Sequence, residues 1–381
     1  MNQTKLRLAA TSSQTRRMPF IDFLRGFACL WVVGTHAHAG WADLYKPKAG
    51  DNILQSALMW FLGMGSVGVD LFIVISGFCL FYPLIQLQNS KWGFSPVNAR
   101  LFFIRRAQRI LPVYYVVVLI CSVLLIGWNL KFAPFQSVLD ILPYLFTVQN
   151  WIPSHTPRIN GSLWSVAMEV QLYLLLPFLV ALIRRYSLVT VAAVSVGGAM
   201  LAGIASKFIN LGPLFINPLA HTAMPVHFGE FVFGAVAAYL VKSKTSINKT
   251  ILFSAAIACF CIGVLGHTSR GGPVLAGSCY TSWGLFFCIV IIGASRVRQN
   301  IWEDNPIYKT ISRVGLVSYS MYAVHFPIVL MLDNYKNTFG NHPLKQLLAF
   351  CMIGFPAILL ATLVMFHFIE RRSVPAVRLQ K

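Results

Sequence analysis

Two ionisable residues lie inside the first apolar stretch of the chain, Arg25 and His36 in the run from Phe20 to His36. Charge in hydrocarbon costs several kcal/mol, so such groups pair or face a polar cavity. Their spacing of eleven residues comes to about 1100° of helical rotation, some 20° past three full turns. The spacing therefore puts Arg25 and His36 on one helix face, roughly 16 Å apart in depth. Asp22 falls about 60° from Arg25 on the same wheel and can partner it, whereas His38 falls on the far side. A polar stripe ending in an imidazole suits proton transfer on a substrate that enters the membrane. The simpler alternative is a structural Asp–Arg pair with an interfacial histidine.

A second set is Ser165, Glu169 and Tyr173, at i, i+4 and i+8, which makes one stripe on a helix. Glu169 is expected at a depth comparable with His36, where a carboxylate would fix the tautomer of the imidazole and raise its basicity. The alternative for Glu169 is a hydrogen-bonded tie between two helices. A third set is Arg105, Arg106 and Arg109, whose guanidinium forks make a compact site for phosphate or carboxylate groups. Ordinary basic anchoring at a membrane face explains them equally well. Asp70 and Ser76 sit in the next apolar run, His227 and Glu230 in a later one, His325 before Pro327, and Glu370 near the end. Asp22, Asp70, Glu169, Glu230 and Glu370 are five of the eleven acidic residues, and all lie in or beside apolar runs, which implies a polar interior.

The elements that must position these residues are transmembrane helices. The 381 residues are 57% hydrophobic and 11% charged, too apolar for a soluble globular domain. The net charge of +20 would suit nucleic acid, but the basic residues cluster between apolar runs, as in cytoplasmic loops of membrane proteins; no nucleic-acid partner is expected. Stretches long enough to span a bilayer occur near 19–40, 57–85, 102–127, 163–183, 188–206, 223–241, 250–267, 274–294, 314–333 and 345–369. With the N-terminus inside, the inner loops and tails hold 22 Lys and Arg and the outer loops eight. The expected fold is therefore all-α, a polytopic membrane protein of about ten transmembrane helices with both termini cytoplasmic. Residues 1–17 read as a polar tail, 18–372 as the membrane domain and 373–381 as a basic tail.

Arg16-Arg17, the apolar run after them and Ala37-His38-Ala39 imitate a cleavable signal peptide, but Asp22 is out of place in one. Eight cysteines are scattered without a C-x-x-C pair and read as small core residues. The outer loop 128–162 carries Trp128, Asn129, Gln149, Asn150, Trp151, His155, Asn160 and Gly161, a mixture that suits either sugar binding or an interfacial aromatic belt.

In this order the segments resemble the acyltransferase 3 family of bacterial membrane acyltransferases, over about residues 19–372. Arg25 and His36 meet the family's opening pattern of arginine, ten residues and histidine. Gly68-Val-Asp-Leu-Phe-Ile-Val-Ile-Ser-Gly-Phe78 is similar to G-V-x-L-F-F-V-L-S-G-F. Arg105-Arg106-x-x-Arg109-Ile-x-Pro112-x-Tyr114-Tyr115 matches the third motif, and Trp164-Ser165 with Glu169, Gln171 and Tyr173 resembles W-S-L-x-V-E-x-Q-F-Y. Ser318-Tyr319 through Tyr322, His325 and Pro327 resembles S-Y-x-x-Y-x-x-H-x-P. Two places depart: Glu370-Arg371-Arg372 stands for Glu-Arg-Pro, and His227 stands near the place of an arginine before Gly229-Glu230-Phe231. The esterase-like C-terminal domain of some relatives is not expected here.

The resemblance implies an O-acetyltransferase of the bacterial inner membrane, with cytoplasmic acetyl-coenzyme A as donor and a hydroxyl of a cell-surface or secreted glycan as acceptor. Lipid-linked glycan and polysaccharide-assembly proteins are the further partners it implies, beside membrane lipid. Arg105, Arg106 and Arg109 would hold the donor phosphates, and Arg25 with Asp22 would line the passage for its arm. His36 would act as base or carry the acyl group, oriented by Glu169. Asp70, Ser76, Trp164, Ser165, Gln171, Tyr173 and His325 would support them. No bound cofactor or metal is expected. The competing classes are a transporter of lipid-linked sugar or acyl groups and a scaffold for a polysaccharide synthase.

Overall fold

The computed structural model describes residues 18–42, 53–88, 91–127, 138–209, 216–268, 272–297, 304–334 and 348–373. Nearly all of these residues are helical, as the length and continuity of the apolar runs dictate. The long helices are α1 (Pro19–Ala42), α2 (Ile53–Gly63), α3 (Val67–Phe81), α4 (Ala99–Gly127), α5 (Trp164–Tyr186) and α6 (Leu188–Ala205). They continue with α7 (Met224–Lys242), α8 (Lys249–His267), α9 (Gly272–Ser295), α10 (Pro306–Leu316), α11 (Ser318–Asn334) and α12 (Phe355–Met365). One antiparallel hairpin interrupts them, β1 (Ile85–Gln88) paired with β2 (Lys91–Phe94) in the register Ile85 opposite Phe94. The tails expected at 1–17 and 374–381 lie outside the described residues.

Eight of the helices are long and apolar enough to cross a membrane, and a bent pair makes a ninth candidate. The helix α1 is 24 residues long, about 36 Å, but Asp22, Arg25, His36 and His38 lower its hydropathy and keep it out of that set. All ten expected segments are thus helical, with two changes of detail. The stretch 57–85 is broken at the turn 64–66 into α2 and α3. The stretch 314–333 bends by 80° between α10 and α11. The bend falls at Val317, whose φ of −107° and ψ of 10° end the first helix. α10 begins with the Asn305 side chain accepting from the backbone N–H groups of Ile307 and Tyr308, which caps it as a separate helix.

Helices that carry functional residues approach closely through glycine. A Cβ on Gly26 would stand 1.9 Å from the Ile311 carbonyl oxygen, and one on Gly315 only 1.8 Å from that of Asp22, so α1 and α10 touch backbone to backbone. Gly77 and Gly234 do the same for α3 and α7, where Cβ atoms would lie 2.1 Å from the Phe231 oxygen and 2.3 Å from the Val74 oxygen. The last span, Phe350–Ser373, contains two π-helical turns, Phe350–Gly354 and Phe366–Glu370. The second carries Glu370 inward, where its Oε2 accepts from the Ser320 hydroxyl at 2.5 Å.

Candidate active site

α1 is continuous from Arg25 to His36, and both side chains are half-buried. α3 and α11 both pack on α1, and α5 with α4 completes the wall opposite it. Between them lies a cavity of about 100 Å³. Its polar lining is Arg25 from α1, Ser76 and Cys79 from α3, Arg106 and Arg109 from α4, Ser165, Glu169 and Tyr173 from α5, and Ser318, Tyr319 and Tyr322 from α11. The stripe at i, i+4 and i+8 on α5 faces this cavity in full.

Three guanidinium groups and one carboxylate give the cavity a net positive charge, which favours an anionic guest. Arg106 is steadied by the rings of Phe102 and Tyr173, 5.7 and 5.6 Å from its guanidinium carbon. The third expected member of the phosphate site, Arg105, is exposed and does not line the cavity. One helical step of 100° separates Arg105 from Arg106, so the two cannot share the inward face.

Glu169 departs from its expected pairing. Its Oε1 accepts from the Ser76 hydroxyl at 2.8 Å and from the Tyr173 hydroxyl. It lies within electrostatic reach of Arg25, at the arginine side of the cavity. The imidazole of His36 meets His325 instead: His36 Nδ1 stands 3.1 Å from His325 Nε2 and 3.0 Å from the Val32 carbonyl oxygen. The helical period on α5 sets which face Glu169 occupies, not which neighbouring helix meets it, and the partners it meets are Ser76 and Tyr173.

The hydrogen bonds around the two imidazoles assign their protons. His325 is fully buried, and its Nδ1 stands 2.6 Å from the Tyr322 carbonyl oxygen, which only accepts, so Nδ1 carries the hydrogen. The Nε2 of this neutral ring is then an acceptor. His36 Nδ1 faces that acceptor and the Val32 carbonyl, so it too carries hydrogen. The lone pair of His36 is left on Nε2, the nitrogen a general base uses. Phe326 closes one side, its ring edge-on to His36 at 5.0 Å.

His36 is not itself in the cavity wall. The two are joined by Tyr322, whose ring lies 5.4 Å from that of His325 and which also lines the cavity. That hydroxyl donates to the Ser162 carbonyl oxygen at 3.0 Å and lies 2.7 Å from Ser165 Oγ. Asn160 supports the same turn of α11 by donating from Nδ2 to the Ala323 carbonyl at 3.1 Å, while its Oδ1 accepts from Ser162. Asn160, Ser162 and Tyr322 therefore position the histidine pair, a role the sequence reading did not give them. Tyr322 is signalled by its place in the motif that also holds His325, whereas Asn160 and Ser162 show only as polar side chains in a loop.

In the described part of the loop before α5 the amides are turned inward and bonded to the loop and to the helices around it. Gln149, Asn150 and Asn160 are completely buried. Gln149 donates to the Leu163 carbonyl, Asn150 donates to Gln171 and the Thr222 carbonyl, and Trp151 donates to Gln171 Oε1 at 2.7 Å. Gln171 is thus a structural residue on the face of α5 away from the cavity. Tyr144 staples the loop by donating to the Thr156 carbonyl at 2.7 Å and accepting from the backbone of Ile159 and Asn160. Burial raises the Tyr144 phenol above its ordinary range and keeps it a donor. Trp128, Asn129 and the side chain of His38 lie outside the described residues.

Four of the five carboxylates in or beside apolar runs divide into three places. Glu169 faces the cavity, Glu370 pairs with Ser320, and Asp70 and Glu230 gather around His227. Asp70 is therefore removed from the cavity it was expected to support. Trp164 goes with it, its ring 5.6 Å from His227. Asp22 lies outside the cavity lining, on the turn of α1 before Arg25.

The sequence model of the acyltransferase domain of the acyltransferase 3 family matches residues 18–366. The chain is similar to the O-acetyltransferase OatA of Staphylococcus aureus, 26% identical over 84% of this chain and 52% of that protein. It is also similar to the acyltransferase MdmB of Streptomyces mycarofaciens, 24% identical over 82% of this chain and 79% of that protein. The chain spans about half the length of the OatA proteins it matches. No solved structure matches.

Proposed function

Since the chain belongs to the acyltransferase 3 family and is a multi-pass membrane protein, we propose that it transfers acetyl from acetyl-coenzyme A to a glycan hydroxyl. The observation that carries the reading is the cavity lined by Arg106, Arg109 and Tyr322, with the histidine pair beside the Tyr322 ring. Coenzyme A ends in phosphates, and the arginine mouth suits them. The excess of Lys and Arg in alternate loops supports a cytoplasmic position for this mouth in the inner membrane. Arg25, Ser76 and the Ser76–Glu169–Tyr173 hydrogen bonds offer polar partners to the amide-rich arm of the donor.

His36 Nε2 takes the proton of the acceptor hydroxyl as its oxygen attacks the thioester carbonyl. The C–O bond forms, the C–S bond breaks, and the proton passes to the departing thiolate. His325 holds the tautomer that makes this possible, in the place expected for Glu169. General-base assistance of this kind is worth about 10²- to 10⁴-fold in rate. Membranes carrying His36→Ala should express the chain at wild-type level and incorporate no radiolabelled acetyl into glycan. Retained labelling in that variant would remove His36 from the chemistry.

A further inference from the structure

Away from the cavity, three ionisable side chains meet in the fully packed interface of α3, α7 and α9. His227 is 1% exposed, Glu230 1% and Asp70 5%. His227 Nδ1 stands 3.0 Å from Glu230 Oε1 and 3.9 Å from Asp70 Oδ1, and one ligand atom from each residue lies within 4.8 Å of the others. The opposite nitrogen, Nε2, stands 2.7 Å from the His221 carbonyl oxygen. A carbonyl only accepts, so Nε2 carries the hydrogen and the lone pair of the neutral ring points from Nδ1 at the two carboxylates. Each of the three side chains thus turns an atom able to bind a metal ion toward the same point. The other oxygen of the same carboxylate, Glu230 Oε2, is buried and has no hydrogen-bond partner among the described residues.

We propose that Asp70, His227 and Glu230 form a binding site for a divalent transition-metal ion. One imidazole and two carboxylates are the nitrogen and oxygen donors that zinc and its neighbours accept. A histidine ligand typically gives its other ring N–H to a backbone carbonyl, as His227 does to His221, and that bond fixes the ring and the tautomer. The charges also balance: two carboxylates and a doubly positive ion leave no net charge in the membrane interior. Trp164 and Tyr280 enclose the imidazole, with ring centroids 5.6 and 4.5 Å away. Gly284 of α9 makes room for Glu230, because a Cβ there would come within 2.9 Å of the Glu230 Cγ. The ion would tie α3 to α7 beside the cavity that Ser76 of α3 lines. This departs from the metal-free reading of the sequence and stands independently of the acyl-transfer proposal, since it is read by metal content and unfolding.

The test uses the full chain without a polyhistidine tag, purified in detergent, stripped with chelator, exposed to Zn²⁺ alone and desalted. Wild type should retain about one zinc per chain, as a structural site does. Its unfolding temperature should rise on zinc addition and fall on chelation. Glu230→Gln should retain none. His227→Arg, which sets a fixed cation between the carboxylates, should also retain none, and its unfolding temperature should ignore chelator. Wild type that holds no more zinc than these variants overturns the proposal. If neither variant folds, Co²⁺ added to the stripped wild type decides: visible d–d bands of a bound four- or five-coordinate ion support the site, and their absence overturns it.

Discussion

The free lone pair on His36 depends on a residue 289 positions away in the chain. His325 gives its own Nδ1 hydrogen to Tyr322 and offers Nε2 to His36, so the base and its orienting group are both imidazoles. A carboxylate in that place would draw the proton more strongly and add a charge in the membrane interior; a neutral ring fixes the tautomer without one. His325→Ala should therefore lower kcat by about 10²-fold or more, within the range for loss of general-base assistance, with little change in KM for acetyl-coenzyme A. His325→Gln can still donate and accept through its amide and should recover part of the rate. Equal loss in both variants, measured as initial rates of label transfer, would show that His325 acts by some means other than hydrogen bonding.

At the scale of elements, the site depends on helices that meet backbone to backbone. α1 carries both Arg25 and His36, and its contact with α10 leaves no space for a side chain at Gly26. Gly26→Ala puts a methyl group against the Ile311 carbonyl, so the helices must part by a distance that matters to the 3.1 Å contact between His36 and His325. Overpacking of this kind costs about 1–3 kcal/mol. Thermal unfolding in detergent should show a lowered midpoint for Gly26→Ala and an unchanged or slightly raised one for Gly293→Ala, where a Cβ meets nothing within 4 Å and alanine favours the helix. Equal midpoints for the two would deny the close contact its importance. The π-helical turn that ends in Glu370 belongs to the same scale, since it turns a carboxylate inward to Ser320 within a largely apolar span.

For the whole molecule, the sequence was legible wherever a property repeats along one segment. Length and apolarity located the ten helical stretches, the 3.6-residue period placed Arg25 with His36 and Ser165 with Glu169 and Tyr173, and five ordered motifs identified the family. Illegible were the contacts between segments. Nothing in a wheel drawn for α5 tells that Glu169 bonds to Ser76 of α3, or that Gln171 turns to Asn150 and Trp151. The same holds for the gathering of Asp70 with His227 and Glu230 across more than 150 residues of chain. Nor does the apolar run 314–333 disclose its 80° bend, which arises at a single residue. The loop amides illustrate the limit well: Asn and Gln near aromatics read alike whether they bind sugar or, as here, each other.

Donor binding is proposed at the arginines of the cavity and proton transfer at His36 behind Tyr322, so the two should separate by mutation. The direct measurement is the dissociation constant for acetyl-coenzyme A, taken beside the rate of label transfer, for wild type, His36→Ala and the pair Arg106→Ala with Arg109→Ala. Each hydrogen bond to a charged group is worth about 1.5–3 kcal/mol, so the double arginine variant should bind the donor at least ten times more weakly. His36→Ala should bind the donor as wild type does and transfer nothing. A His36→Ala chain that loses donor affinity like the arginine variant, or that still transfers acetyl, would contradict the division of the site.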